Sequence, residues 1–575
     1  MNRILLWIGR TVCPQDHLKY PYRPLDKESL EIRLLTIYPT TDPSEVPVKC
    51  SLSHANLGKE PKPNYETISY AWGTSKERKT IVVDDFSLEV PVGIMAEIYS
   101  NTLQGLIWLG EADDSTEKAL KSIETAYADS CAETNSFGDL YTKIVYGGFP
   151  DVLQPVGFTP DFAALIQFFQ LPWFGRRWVI QEALLAPSSQ CIIGDIVMDW
   201  MNVLRGTAWI AYKSHSLPHT TGFLPAANRV LTMWGLVEEK QAGRAISLHN
   251  IMNSSQGSKV EDGRDTVYAL LGLWLKLQHR TKLHPLLTPD YSKTPEAVIC
   301  DATRYMVAID HNLIHLRFLY HGRHPDPMEK KLPSWAASWH RARDSMRDPL
   351  HSLRQFNADG RDSRKRFLPP SDISSGELSL RGKAVGPVRL VTEMIEGNGT
   401  PSHVVAILGQ LETAWSSSTQ QNSELTKPSR LGELLIAGSD HQGDPATEDF
   451  SVRGYTEWLK YLRCENSWPG PWRLVDERDT VILRKVAEYN QAFWSACRNR
   501  VLFVTESGRL GVGPQTLKGD DLVVILYGCD LPAILRRCPN SDLHEFIGVA
   551  YVEGIMFGEA VEDSEAKEDV TFHLR

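Results

Sequence analysis

The run Leu106-Ile107-Trp108-Leu109-Gly110 constrains this chain most, because a strand apolar on both faces has to be covered from both sides. A helix is predicted to follow at once. Asp114 and Glu117 have capping-box spacing, and Ala119, Leu120, Ile123 and Ala126 share one face. A buried strand feeding an amphipathic helix is half of a parallel β-α-β unit, so an α/β layer is expected here.

Upstream, β-like runs at 32–38, 46–52 and 66–72 alternate with turn-forming residues, and 80–83 with 87–90 reads as a hairpin about Asp84-Asp85. A short helix is predicted over 94–100. The pattern from 162 to 185 is helical with a break at Leu171-Pro172, since proline ends one helical piece and begins the next. Strands at 191–194 and 197–200 precede a helical stretch from 202 to about 310, clearest at 265–275 and 295–309. Beyond about 350, strands return at 377–383, 385–392, 501–505, 508–513, 521–527 and 546–551, predicting a small β-barrel or sandwich. The polar stretches 416–422 and 441–448 read as loops.

Length and charge narrow the classes. A chain of 575 residues exceeds one core, and roughly 150 residues per domain gives three or four modules. A net charge of −10 offers no basic field to nucleic acid or anionic lipid, so neither is an expected partner. Nine scattered cysteines without a C-x-x-C pair suit reduced, mostly buried thiols in a cytosolic or nuclear compartment, and a cytoplasmic location is the one expected. The short apolar run after Met1 is interrupted by Gly9 and Arg10, and no signal peptide or membrane span is expected.

Common catalytic signatures are missing: there is no G-x-S-x-G and no H-E-x-x-H. Gly382-Lys383-Ala384 lacks the hydroxyl of a phosphate loop, and Gly511-x-Gly513 has no third glycine. His311 and His315 lie four apart without a third ligand and read as surface imidazoles, as do His215 and His219; no metal site is expected. Arg264-Asp265 is read as a helix start and Gly519-Asp520-Asp521 as a turn.

Other segments carry a resemblance. Tyr20-Pro-Tyr-Arg-Pro-Leu25, Ile32-Arg33-Leu34-Leu35 and Tyr65-Glu-Thr-Ile-Ser-Tyr-Ala-Trp-Gly73 come first, then Ile107-Trp108-Leu109-Gly110 and Trp173-Phe174-Gly-Arg176-Arg177-Trp178-Val-Ile-Gln181-Glu182. In this order they resemble the fungal heterokaryon-incompatibility (HET) domain family, with its S-Y-x-W-G strand and its W-F-x-R-x-W-x-x-Q-E signature. Gly263-Arg264-Asp265, Pro289-Asp290-Tyr291-Ser292, Leu332-Pro333-Ser334-Trp335 and the tail from Arg500 to Ala560 are similar to later segments of such proteins. In one respect the chain departs from the pattern. The family has a further helix, a W-I-D-A-x-C-I-N/D-Q strand and an E-R-x-x-Q helix after the hairpin, whereas here Val92-Gly93 runs almost directly into Ile94.

The resemblance implies an N-terminal extension over 1–28 and a HET domain over 29–205 lacking a central segment near 93. A helical middle region over 206–345 and a β-rich C-terminal domain over 346–575 follow. It further implies a truncated parallel sheet similar to the Toll/interleukin-receptor (TIR) fold, and a role in non-self recognition leading to programmed cell death through protein partners or self-association. Some TIR-fold proteins cleave NAD with one glutamate, which makes Glu182 the candidate catalytic acid and NAD a possible substrate, with no bound cofactor. Trp173 and Trp178 would then face the ring and Arg176 or Arg177 the diphosphate, with Tyr70, Trp72, Trp108 and Gln181 completing the pocket. The competing reading is structural, with Trp178, Val179 and Leu185 in the core and Arg177 paired to Glu182 on a helix. A third reading is recruitment of the scaffold to a specialised-metabolite pathway. The pocket readings require Tyr70 and Trp108 to lie in one sheet, close to Glu182.

Overall fold

Trp108 lies opposite Tyr70 on one side and Ile192 on the other, both in parallel register, so the apolar run is the middle of a parallel layer. The computed structural model describes residues 3–5, 25, 30–38, 49–71, 82–83, 95–133, 138, 141, 159–214, 222–310, 313–319, 321–322, 329–337, 339, 356–360, 377–397, 399–416, 428–441, 443–463, 481–562 and 569–575. The chain divides into two compact units, Met1–Asp290 and Tyr291–Arg575.

In the first unit, β1 (Arg3–Leu5), β2 (Glu31–Ile37), β3 (Lys49–Asn56), β4 (Glu66–Tyr70), β5 (Val82–Val83), β6 (Gly105–Gly110), β7 (Ser189–Ile193) and β8 (Ile196–Asp199) form one sheet in the order β5-β3-β2-β1-β4-β6-β7-β8. The run β1-β4-β6-β7 is parallel, and antiparallel pairs flank it. Between the strands come α1 (Met95–Ser100), α2 (Asp114–Glu133), α3 (Phe162–Phe169) and α4 (Trp178–Leu185), with α5 (Trp200–Ser214) after β8. Then α6 (Phe223–Gln241), α7 (Leu248–Ser254) and α8 (Asp265–Leu277) complete the unit.

Strands β4, β6 and β7 succeed one another in one direction across the sheet. Right-handed crossovers therefore place their connecting helices on the same face. That face is buried at Thr67, Ser69, Ile107, Leu109, Cys191 and Ile193, with α4 against β4 and β6 and α5 against β7. The opposite face is not closed in the same way: Trp108 is 37% and Val197 55% exposed. The expectation that β6 is covered on both faces is thus corrected. Direction of strand addition, which composition does not encode, decides which face the helices protect.

Local signals place most boundaries, with two adjustments. The cap of α2 is one residue earlier than the spacing predicts, since the Thr116 amide donates to Asp113 Oδ1 at 2.7 Å. Pro172 does break the 162–185 helix, and Pro172–Gly175 forms a single 3-10 turn between α3 and α4.

The second unit opens with α9 (Pro295–Asp310). Its main feature is β9 (Leu378–Ile395), one 18-residue strand where two shorter ones are predicted. Helices over Pro401–Ser416, Tyr455–Arg463 and Val481–Cys497 intervene before β10 (Arg500–Thr505), β11 (Leu510–Pro514), β12 (Leu522–Leu526), β13 (Ala533–Arg537), β14 (Leu543–Val549), β15 (Tyr551–Val552) and β16 (Val570–Leu574). Pairing runs β12-β13-β14-β16-β9, and β9 pairs β12 again, so this hydrogen-bonded series returns to its starting strand. Val501, Phe503, Val523, Ile525, Ile534 and Ile547 fill its core. Two sequence readings fail here. His315 is 1% exposed rather than a surface imidazole, and Asp521 is not merely part of a turn. Asp520 makes the turn at φ 68°, while Asp521 is 2% exposed and is gripped by Arg536 through two contacts of 2.8 Å. His311, His215, His219 and most of 416–422 lie outside the described residues.

Candidate functional site

Helix α4 is buried at all eight positions, because the sheet lies on one side and α1, α6 and α8 pack around the rest. A glutamate on such a helix cannot reach bulk water, so its partners decide its state. Ser69, on the helix-facing side of β4, donates to Glu182 Oε2 at 2.5 Å. The Trp173 indole, brought in by the 3-10 turn, donates in turn to Ser69 Oγ at 2.7 Å. Arg176 leaves the end of that turn and donates to the Tyr70 carbonyl at the carboxyl end of β4.

Electrostatics link the same residues. Glu182 is 3% exposed, and burial raises its pKa above the ordinary carboxylate value, opposed by the Arg176 charge and the Ser69 bond. Burial also pushes the Tyr70 phenol up to about 12, with Arg176 lowering and Glu182 raising it. Tyr99, on α1, is held well above its ordinary value by burial and then by Glu182. Its hydroxyl lies 3.5 Å from the Ile68 carbonyl. An acid, a cation and two phenols thus gather where β4 ends, which is where open parallel sheets place their ligands.

The remaining expected site residues separate by role. Trp173 is 1% exposed and packs edge-on against Trp200, with centroids 5.3 Å apart, so it is a core donor and not a platform for a ring. Trp178 is 7% exposed and its indole donates to Asp265 Oδ2 at 3.0 Å. Gln181 Oε1 accepts from the Leu273 amide at 3.0 Å, tying α4 to α8. Arg177 is fully buried and donates to the Ser255 carbonyl at 3.0 Å. Burial, with Arg229 nearby, lowers Arg177 to about 9. The ion pair of Arg177 with Glu182 anticipated by the structural reading is not the contact made, since the cation acting on Glu182 is Arg176. Trp108 sits on the sheet's other face, and Trp72 lies outside the described residues.

Ser69 and Tyr99 are absent from the sequence-based site. Ser69 left a signal: Thr67 and Ser69 alternate with Ile68 and Tyr70, a polar pair on what the parallel layer makes its inner face. Tyr99 left none beyond its place in a short helix.

Residues 83–182 match the family model described as Heterokaryon incompatibility protein (HET), ending on Glu182 itself, and residues 456–574 match the Het-6 beta-barrel domain. Heterokaryon incompatibility protein 6, OR allele, of Neurospora crassa is 20% identical over 681 residues, covering 97% of this chain and 98% of the relative. No solved structure matches. No described helix is long and apolar enough to cross a membrane. Residues 83–182, across β6 to α4, thus match a HET domain and residues 456–574, across the C-terminal strands, a Het-6 barrel domain.

Proposed function

We propose that this chain is a fungal heterokaryon incompatibility protein, acting in the cytoplasm as a non-self response factor. Its first unit signals toward programmed cell death, and its second unit regulates that output through protein partners or self-association. The observation that carries this reading is the joint presence, in one chain, of a HET match and a Het-6 barrel match, on a relative aligned over nearly its whole length. Introducing the gene into a fungal host that lacks it, and fusing transformants with a panel of wild isolates, tests the reading. Lysis of fused compartments, scored by vital-dye uptake, is expected with some isolates and not with the untransformed host. Uniform viability across the panel removes it.

A second reading draws on the cluster at the end of β4: the first unit is a shortened TIR-like scaffold that hydrolyses NAD. Water adds to the ribose C1′, the bond to the nicotinamide nitrogen breaks, and nicotinamide leaves with that bonding pair. The products are ADP-ribose and one proton. Glu182 would stabilise the cationic sugar and Arg176 would meet the diphosphate. The departure near Val92-Gly93 removes part of the family pattern, so a low turnover is expected. Purified protein incubated with NAD should release nicotinamide, and Glu182→Ala should stop it; equal release by the variant eliminates Glu182.

A further inference from the structure

The bonds around Ser69 have a fixed direction. An indole N–H can only donate, so the 2.7 Å contact from Trp173 occupies an acceptor position of the serine oxygen. The oxygen keeps a second lone pair, and its own hydroxyl proton goes to Glu182 Oε2, 2.5 Å away. All three side chains are buried, at 1% exposure for Trp173 and 3% each for Ser69 and Glu182. The relay therefore works without competition from bulk water. Among the described residues, Ser69 supplies the side-chain hydrogen bond to Glu182, and it goes to Oε2.

We infer that Ser69 is the positioning residue of Glu182: its hydroxyl, turned by the Trp173 indole, holds Oε2 and leaves Oε1 for a hydroxyl or cationic centre of a ligand. This rests on the second reading above, in which Glu182 is the functional acid. A serine hydroxyl can accept from a protonated carboxyl or donate to an ionised one, and the indole takes one of the two lone pairs that accepting would use. With Trp173 in place it favours the ionised form, opposing the burial that disfavours that form.

The test is a double-mutant cycle on the full chain, read by thermal unfolding between pH 4 and pH 8. Ser69→Ala should lower the first unit's midpoint more at pH 8 than at pH 4, by about 3 °C or more, since a bond to a charged acceptor outweighs one to a neutral acceptor. In the Glu182→Gln background the same substitution should cost the same at both pH values. Trp173→Phe should weaken the pH-dependent difference, and Ser69→Thr, which keeps the hydroxyl, should restore it whatever its effect on the midpoint itself. An equal cost of Ser69→Ala across pH in both backgrounds, or a pH-dependent cost that survives in Glu182→Gln, overturns the inference. Nicotinamide release separates the two ideas: coupling without release keeps the relay and removes the hydrolase, and release without coupling does the reverse.

Discussion

Gly272 faces Gln181 so closely that a Cβ built on the glycine would lie 2.5 Å from Gln181 Oε1 and 2.6 Å from the Ala96 Cβ. Helices α1, α4 and α8 meet at this point, and the glycine lets the Gln181 carbonyl cap the Leu273 amide inside the α8 contact. Gly272→Ala should therefore cost stability despite alanine's better helix propensity. Overpacking of this kind costs about 1–3 kcal/mol, read as a lower unfolding midpoint of the first unit. A midpoint equal to or above wild type would show that α8 moves freely away from α4.

The buried acid makes stability depend on pH in a known direction. Glu182's pKa is raised on folding, so its favourable contribution is full below the ordinary carboxylate pKa and is lost as pH rises through the folded value. Glu182→Gln should accordingly be more stable than wild type at pH 8, with the gap closing toward pH 4. Denaturant titrations at the two pH values check this, and a gap that widens toward acid contradicts it.

In the second unit, Asp521 is the acidic half of a bidentate pair with Arg536, and it also accepts from the Lys518 amide at 2.8 Å. Asp521→Asn keeps the shape and strips the charge. The expected loss is about 2–3 kcal/mol, below the range for a fully buried pair, because the Arg536 side chain keeps 27% exposure. The unfolding midpoint of the second unit reports it, and an unchanged midpoint would return Asp521 to the role of a simple turn residue.

Thiol chemistry should single out one described cysteine. Cys131 is exposed, whereas burial pushes the Cys191 and Cys300 thiols up to about 12 and 11. At pH 8 the buried pair is therefore held as the unreactive thiol. Brief alkylation of the native protein followed by peptide mass spectrometry should find Cys131 modified well before Cys191, Cys300, Cys497, Cys529 or Cys538. Early labelling of Cys191 would mean that the sheet opens on that timescale.

By itself the sequence determined the elements and their kinds. The apolar run at Leu106–Leu109, the proline at 172 and the alternation from Glu66 to Tyr70 mark local structure through short-range sterics and periodicity, and the structure keeps all three. The resemblance of the W-F-x-R-x-W-x-x-Q-E segment offered Glu182 with Arg176 or Arg177 as candidates and left open which arginine stands near the acid. Tertiary structure alone decided the rest. Ser69 meets Glu182 across 113 residues and Trp173 across 104, and only the strand order brings them together. Which face of Trp108 is left uncovered follows from the direction in which strands were added. That direction is a property of long-range pairing, and no local pattern carries it.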